Sequence, residues 1–315
     1  MYVLVCPCCI HPHLRADGIT SEIDLKNYIK SLNRCKEFGL EVISLPCPET
    51  EYLGNKRKPG TYLERLNTPE FHAILETLTM NVREIIKSCG LPLCILGVNS
   101  SPTCGVTSTY YGIEKKEVEV QKNDNSLNIG KFVKNTGKKE GRGVFLNRFP
   151  DIPAFDVAHF AAYKIYLAAP LFTLAEKKFN SFIANILKKS FFKVYIPQES
   201  GDTSELFTKE GHKKIFSQHV KALHECDLVI AIVDGSDADS GTSWEMGYAF
   251  ALGKRIISLR TDFRRFGLYE PVNLMLSESS ELVKSESELL SLLNPPINSV
   301  DDIDFVKYPA DQYCL

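Results

Sequence analysis

A loop rich in carboxylates follows one apolar run in the second half of the chain. The run 227–233 (DLVIAIV) leads into 234–249 (DGSDADSGTSWEMGYA), where Asp239 lies six residues before Glu245. We expect Glu245 to occupy the first turn of a helix, where the helix dipole keeps its carboxylate ionised. Two carboxylates in unlike environments suit glycosidic chemistry: one attacks the anomeric carbon, and the other handles a proton or holds the substrate.

A purely structural interpretation of the same loop stays open. Asp237, Asp239 and Thr242 would then cap the helix, and Glu245 would only complement its dipole. Neither a G-x-G-x-x-G turn nor a Walker lysine is present. The sequence therefore argues against the common dinucleotide and triphosphate sites.

Several motifs of the second half together resemble the nucleoside 2-deoxyribosyltransferase family. They lie within 164–293 and are YLAAPLF at 166–172, DLVIA at 227–231, DSGTSWEMGYA at 239–249, TDFR at 261–264 and VNLM at 272–275. The resemblance implies a flavodoxin-like domain in which a glutamate attacks C1′ of a 2′-deoxynucleoside and releases the base. The sugar then passes to another base or to water. No cofactor is implied for this half.

The resemblance also assigns roles to single residues. Glu245 matches the nucleophile, Tyr166 the tyrosine that orients it, and Asp239 the aspartate that contacts sugar and base. Asn273 matches an asparagine that is lent to a neighbouring subunit, so a homo-oligomer is implied. The other candidates for contacting the substrate are Ala168, Pro170, Phe172, Asp237, Gly241 and Ser243.

One position departs from the family pattern. Where a further base-contacting aspartate is common, this sequence has Gln218 and His219, so His219 is either a substrate contact or a helix residue without a role. Relatives of the fold also hydrolyse deoxynucleoside 5′-monophosphates, and Ser240 and Ser243 could contact such a phosphate or simply cap the helix. A third hypothesis is an inactive nucleotide-binding sensor. Retention of Tyr166, Asp239, Glu245 and Asn273 together favours catalysis, because a binding module needs no nucleophile.

The cysteines are concentrated in the first half of the chain. Ten are present, and eight lie at positions 6, 8, 9, 35, 47, 89, 94 and 104. Cys35, Cys89 and Cys94 fall on periodic apolar positions, where we expect buried thiols. The remaining ones follow predicted strands, so they are either core thiols or ligands of zinc or an iron–sulfur cluster.

A second resemblance, over about 1–150, is to the thiouracil desulfidase group. It is carried by Cys8 with RADG at 15–18, CPE at 47–49 and SPTCG at 101–105. It implies a [4Fe–4S] cluster held by Cys8, Cys47 and Cys104, with Cys9 as the alternate first ligand. Ser101 and Glu49 become candidates for contacting a thiolated base. The two resemblances on one chain predict linked substrates, such as modified nucleosides.

Both halves repeat short apolar runs that alternate with stretches of helical period, which is typical of parallel sheets covered on both faces. In the first half the runs are 2–6, 40–47 and 92–98, with GVFL at 143–146 as a later strand. In the second half they are 164–171, 192–197, 227–233 and 255–260. The sequence therefore predicts two doubly wound α/β domains, 1–159 and 160–315, of which the second is flavodoxin-like (Rossmann-like).

Composition limits the partners. The chain has 315 residues, 37 Lys+Arg and 39 Asp+Glu, and a formal net charge of -2, which argues against binding of polymeric nucleic acid. No apolar run is long enough for a membrane span, and the N-terminus lacks a signal-peptide pattern. We expect a cytoplasmic protein that acts on small nucleosides, nucleotides or nucleobases. We interpret 112–142 as loops of the first domain and 294–315 as an extended arm.

Overall fold

The computed structural model describes residues 1–113, 137–200, 208–264, 267 and 270–296. The chain divides into two compact units, Met1–Ala162 and Tyr163–Leu315. Within the described residues, no helix is both long and apolar enough to cross a membrane. Most of 112–142 and of 294–315 lies outside the described residues.

The first unit contains a four-stranded sheet in the order β2-β1-β3-β6, with every neighbouring pair parallel. Its strands are β1 (Tyr2–Val5), β2 (Glu41–Ser44), β3 (Ile95–Gly97) and β6 (Ala154–Asp156), and β4 (Ser108–Tyr110) pairs with β5 (Lys138–Glu140) as a separate antiparallel ribbon. Its helices are α1 (Pro7–Ile10), α2 (Glu22–Glu37), α3 (Pro48–Leu53), α4 (Tyr62–Arg65), α5 (Pro69–Cys89) and α6 (Val157–Ala161).

The second unit is a five-stranded parallel sheet in the order β11-β10-β9-β7-β8. Its strands are β7 (Lys164–Ala168), β8 (Lys193–Tyr195), β9 (Leu228–Ile232), β10 (Arg255–Leu259) and β11 (Glu281–Val283). Its helices are α7 (Leu174–Lys189), α8 (Lys209–Glu225), α9 (Ser240–Ala251), α10 (Leu274–Ser277) and α11 (Glu286–Leu293). When β7 is counted as the first strand of this unit, the strand order is 2-1-3-4-5, which is that of the flavodoxin-like fold. The predicted α/β class with doubly wound parallel sheets is confirmed.

Local sequence explains the strand and helix positions. The residues of β9 are all buried, as expected for a strand covered by helices on both faces. Helix α7 begins at a capping box in which the Thr173 hydroxyl and the Glu176 carboxylate accept each other's backbone N–H groups. Asp227 fixes the start of β7, because its carboxylate accepts the N–H groups of Tyr163 at 3.1 Å and Lys164 at 3.0 Å.

The strand predicted at 143–146 is wrong. Instead of pairing with the sheet, this segment hydrogen-bonds to the loop after β3, where the Gly143 N–H donates to Gly105 O and the Phe145 N–H donates to Thr103 O. A 3₁₀ turn then follows at Leu146–Arg148. The sheet position is taken by β6, which lies beside β3.

Candidate active site

The site of the second unit lies where the strand order reverses, between β7 and β9. These two strands are parallel neighbours, with Tyr166 opposite Val229, so their carboxyl ends share one edge of the sheet. In open α/β sheets, this reversal point forms the crevice in which ligands bind. Tyr166 projects from β7, and Glu245 comes from α9, the helix that follows β9.

Glu245 and Tyr166 are in direct contact. The Tyr166 hydroxyl donates a hydrogen bond to Oε1 of Glu245, and Tyr166 itself is fully buried. Burial raises the pKa of Glu245 to about 7; the charge of Asp239 adds to this, and the hydrogen bond from Tyr166 opposes it. Near neutral pH, the carboxyl is therefore present both as the acid and as the nucleophilic carboxylate.

The expectation that the helix dipole keeps Glu245 ionised is wrong. Helix α9 begins at Ser240, so Glu245 lies in the second turn, and no acidic residue occupies the first. The dipole acts mainly within the first turn, whereas desolvation penalises the charged form wherever the side chain is buried. The side chain of Glu245 is only 14% exposed, and burial prevails.

Asp239 is the N-cap of α9. Its Oδ2 accepts the Thr242 N–H at 3.0 Å, which is the structural role that the sequence left open. Its charge also raises the pKa of Glu245, so the same side chain acts on the candidate nucleophile. The capping and the chemical interpretations of this loop are compatible.

His219 faces Glu245 from α8. Its Nδ1 lies 3.9 Å from Oε1 of Glu245, and its Nε2 lies 3.0 Å from the Ser200 hydroxyl. Burial lowers the pKa of His219, which favours the neutral imidazole. The histidine at the position that departs from the family pattern therefore lies beside the candidate nucleophile.

Two neighbours of this group were missed at the sequence level. Tyr195 stacks on Tyr166 with ring centroids 5.2 Å apart, and its edge meets the ring of His219 at 6.0 Å. Its buried hydroxyl has no hydrogen-bond partner within the described part of the chain. Ser200 holds His219. Tyr195 ends β8 and could have been found as a strand-end residue, whereas no motif marks Ser200.

The loops after β9 and β10 are tied to each other by carboxylates. Asp234 accepts the backbone N–H of Thr261 at 2.6 Å and that of Asp262 at 2.8 Å. Asp262 in turn accepts the Gly235 N–H at 3.1 Å, and hydrogen bonds from Arg264 hold its pKa well below the usual range. The TDFR motif thus fixes the start of the loop that carries Asp239.

The remaining predicted substrate contacts differ in exposure. Ala168 ends β7 and is buried, as is Pro170, whereas Phe172 is 74% exposed. Asp237 and Gly241 are exposed on the loop before α9 and on its first turn. The Ser243 hydroxyl donates to the backbone oxygen of Asp239 at 2.9 Å.

Asn273 lies at a second concavity of the unit. Its Oδ1 accepts the Met275 N–H at 3.0 Å and caps α10. Together with Asp237, Ser240, Ser243 and Gly247 of the loop and helix α9, it lines a cavity of about 620 Å³. Because residues two apart on a helix do not share a face, Ser243 and Glu245 point to different sides of α9.

In the first unit, the cysteines predicted as ligands share one sheet edge. Cys8 and Cys9 lie in α1 after β1, Cys47 caps α3 after β2, and Cys104 lies in the loop after β3. The Cys9 thiol lowers the pKa of Cys8, and the Cys104 thiol raises the pKa of Cys6, so these four thiols form two neighbouring pairs. Within the described ranges, no three or more Cys, His, Asp or Glu side chains are arranged to hold a metal ion.

The three cysteines predicted to be buried thiols differ in their exposure. Cys35 and Cys94 are buried, and desolvation raises the pKa of Cys35 to about 11. The expectation of a buried thiol is wrong for Cys89, which is exposed. Cys89 is the last residue of α5, and α5 buries its face through Phe71, Leu75, Leu78, Thr79 and Val82.

Ser101 and Glu49 lie beside the thiol edge. The Glu49 Oε1 accepts hydrogen bonds from Thr103 at 2.8 Å and Ser101 at 3.3 Å, and its Oε2 lies 3.3 Å from Nε of Arg57. Arg57, nearly buried, also lies 3.9 Å from the Cys47 sulfur. Glu49 is therefore held by protein partners on both of its oxygens.

Taken together, the geometry of the second unit defines a class: a doubly wound α/β domain with a buried, protonatable carboxylate and a tyrosine at its switch point. The family model for nucleoside 2-deoxyribosyltransferase matches residues 165–285. Residues 165–285 of this chain therefore form a nucleoside 2-deoxyribosyltransferase family domain.

The chain is also similar to individual proteins, one of them a curated sequence and two of them solved structures. An uncharacterized protein of Ureaplasma parvum is 34% identical over 115 residues, which cover 32% of this chain and 72% of that protein. The solved 2-deoxyribosyltransferase of Bacillus psychrosaccharolyticus is 24% identical, with a TM-score of 0.37, covering 40% of this chain and 89% of its own. A CMP N-glycosidase of Clostridium botulinum is 23% identical, with a TM-score of 0.28, covering 42% and 98% of the two chains.

Proposed function

We propose that the second unit cleaves the N-glycosidic bond of 2′-deoxynucleosides through a covalent intermediate on Glu245. The observation that carries the proposal is the buried Glu245 carboxyl, bonded to the Tyr166 hydroxyl at the reversal point of the sheet. A carboxylate freed of its proton there attacks C1′, and the base departs with the electron pair of the glycosidic bond. The resulting ester is resolved by a second base or by water.

The Tyr166 hydroxyl keeps Oε1 oriented and stabilises the carboxylate form of Glu245. Asp239 lies close enough to raise the pKa of Glu245 and is the candidate for contacting the sugar and the base. The protein supplies these groups from β7, from α9 and from the N-cap of α9, so the proposed reaction uses no cofactor in this unit.

Intact-protein mass spectrometry after mixing with 2′-deoxynucleosides tests the proposal. We expect a mass increase equal to one deoxyribosyl group on the wild type, located at Glu245 by peptide mapping, and none on Glu245→Gln. Glu199→Gln, which changes an exposed glutamate of the same unit, is the matched control. Release of base with no adduct under any quenching condition would argue for direct hydrolysis.

The same assay separates the alternatives. A requirement for a 5′-phosphate on the substrate would assign a deoxynucleoside 5′-monophosphate N-hydrolase. Binding of nucleotides without any release of base would assign a sensor. Omitting and adding a free acceptor base distinguishes transfer from hydrolysis.

We further propose that the working form is a homo-oligomer in which Asn273 serves a neighbouring subunit. Asn273 lines the cavity on the side of α9 that carries Ser243 and Gly247, away from Glu245. Phe250 and Met275 line the same cavity and are 61% and 71% exposed. An apolar, exposed rim is typical of an interaction surface.

Complementation between two inactive variants tests this arrangement. We expect Glu245→Gln and Asn273→Ala to be inactive alone, and their mixture to recover activity because one of the two sites in a mixed dimer has both residues. No recovery after verified subunit exchange would place Asn273 outside the site of the neighbour.

For the first unit, the [4Fe–4S] cluster on Cys8, Cys47 and Cys104 stays a prediction. What supports a thiol-centred site is the gathering of these residues at one sheet edge, next to Glu49 and Ser101. Anaerobic purification tests it: a cluster predicts brown protein with absorption that is lost in Cys104→Ser and kept in Cys89→Ser. Colourless protein with bound zinc would assign a structural zinc site instead.

A further inference from the structure

We infer that His219 carries a proton between Glu245 and the departing base. The inference rests on the proposed function, because it assigns the proton that the proposed bond cleavage requires. A nucleobase leaves poorly as an anion, so a positioned acid that protonates it accelerates departure. Within the described residues, His219 is the titratable side chain of α8 that faces Glu245.

The hydrogen bonds around His219 assign its tautomer. Ser200 has a single hydroxyl hydrogen, which it donates to Pro197 O at 2.8 Å. The contact between Ser200 Oγ and His219 Nε2, at 3.0 Å, therefore needs its hydrogen from the imidazole. With Nε2 protonated, the Nδ1 of the neutral ring keeps a free electron pair.

That free electron pair lies on the side of Glu245. The Nδ1 is 3.9 Å from Oε1 of Glu245, so the two atoms must approach by about 1 Å before a proton passes directly between them. Burial lowers the pKa of His219 and raises that of Glu245 to about 7, so the resting pair is a neutral imidazole beside a partly protonated acid. The other titratable groups around the pair are Tyr166, Tyr195 and Asp239.

The transfer balances without a further reactant. The Glu245 carboxyl gives its proton to Nδ1 of His219, which leaves a carboxylate and an imidazolium. The carboxylate forms a bond to C1′ while the C1′–N bond breaks and its electron pair goes to the base nitrogen. The imidazolium then gives the proton to the base, so His219 ends neutral. In the second half of the reaction, Nδ1 takes the proton from the incoming water or base.

A purely structural role makes a different prediction. His219 is 21% exposed and its ring packs against Tyr195. If it only filled space, its replacement would weaken the site for all substrates alike. If it carries the proton, the loss depends on whether the leaving base needs one.

The experiment compares leaving groups in His219→Gln. Glutamine retains an N–H group that can reach Ser200, but it cannot be protonated. We expect base release from neutral substrates such as 2′-deoxyadenosine to fall by about 10²- to 10³-fold. The base of 7-methyl-2′-deoxyguanosine is already cationic and departs neutral. After the uncatalysed rate is subtracted, its release by His219→Gln should differ from that by the wild type by only a few fold. Each substrate is offered with and without a 5′-phosphate.

His224→Gln is the matched control, because His224 lies on the same helix and bonds the Tyr248 hydroxyl at 2.8 Å. We expect it to match the wild type on both substrates. Equal losses on both substrates in a folded His219→Gln protein overturn the inference and leave the proposed function standing. Activity that is absent in the wild type, or unaffected by Glu245→Gln, overturns the proposed function and the inference with it.

Discussion

Removing the Tyr166 hydroxyl isolates the contact that sets the protonation of Glu245. In Tyr166→Phe the ring remains stacked on Tyr195, but Oε1 of Glu245 loses its donor. That hydrogen bond lowers the pKa of Glu245, against the larger effect of burial. Its loss therefore moves the pKa of Glu245 upward from about 7.

The size of the shift follows from the strength of the lost bond. A hydrogen bond to a charged group contributes roughly 1.5–3 kcal/mol, which corresponds to about 1–2 pKa units. The carboxylate, which is about half the population in the wild type at pH 7, then falls to roughly 1–10%. For 7-methyl-2′-deoxyguanosine, whose base needs no proton to depart, we expect activity at pH 7 to fall by about 5- to 50-fold and to recover at higher pH.

The assay is the pH profile of kcat/KM for base release from 7-methyl-2′-deoxyguanosine, so that the profile follows the Glu245 carboxylate and not the supply of a proton to the base. The acidic limb reports the pKa of the free enzyme's nucleophile, so it should move from near pH 7 to about pH 8–9. Tyr248→Phe is the control, because that hydroxyl bonds His224 on the surface of the same unit. A Tyr166→Phe limb that coincides with the wild-type limb would refute the argument that this contact sets the protonation of Glu245.

Three further predictions follow from the same structure. Asp239→Asn keeps a capping side chain but removes the charge that raises the pKa of Glu245. We therefore expect unchanged thermal stability and an acidic limb of the same kcat/KM profile at lower pH. Asp239→Ala should show the same shift of the limb and also lose about 1 kcal/mol of helix stability. Because the folded state raises the pKa of Glu245 from 4.5 to about 7, it binds this proton more tightly than the unfolded chain, and the free energy of unfolding falls as pH rises through that window. Glu245→Gln should therefore be more stable than the wild type by roughly 3 kcal/mol at pH 8 and equal to it at pH 4, as measured by denaturant unfolding; equal stability at both pH values would contradict this. Gly97→Ala should destabilise the first unit by about 1–3 kcal/mol, since its Cβ would lie 2.5 Å from the backbone oxygen of Cys104, while the control Gly247→Ala, with open space around its Cβ, should not destabilise the second unit.

The sequence alone determined the fold class and the identity of the central pair. Unbroken apolar runs separated by helical patterns predict parallel strands, because a strand buried on both faces has no polar side. Glu245 could be named because it comes soon after such a run, and parallel strands bring their carboxyl ends to one edge. Tyr166, inside the run 164–171, was named only through the family resemblance. The segment 143–146 shows where this reasoning fails: it is apolar like a strand, but its backbone hydrogen-bonds to a loop of the same unit rather than to the sheet.

The tertiary structure decided the chemistry of those residues. Whether Glu245 is charged depends mainly on how far its carboxyl is removed from solvent. That burial is set by the packing of the whole unit and not by the position of Glu245 in its helix. The direction of the His219 proton depends on Ser200, 19 positions away in the chain. The cysteine spacing in the first unit could place the thiols at one edge, but which thiols are neighbours there follows only from side-chain packing.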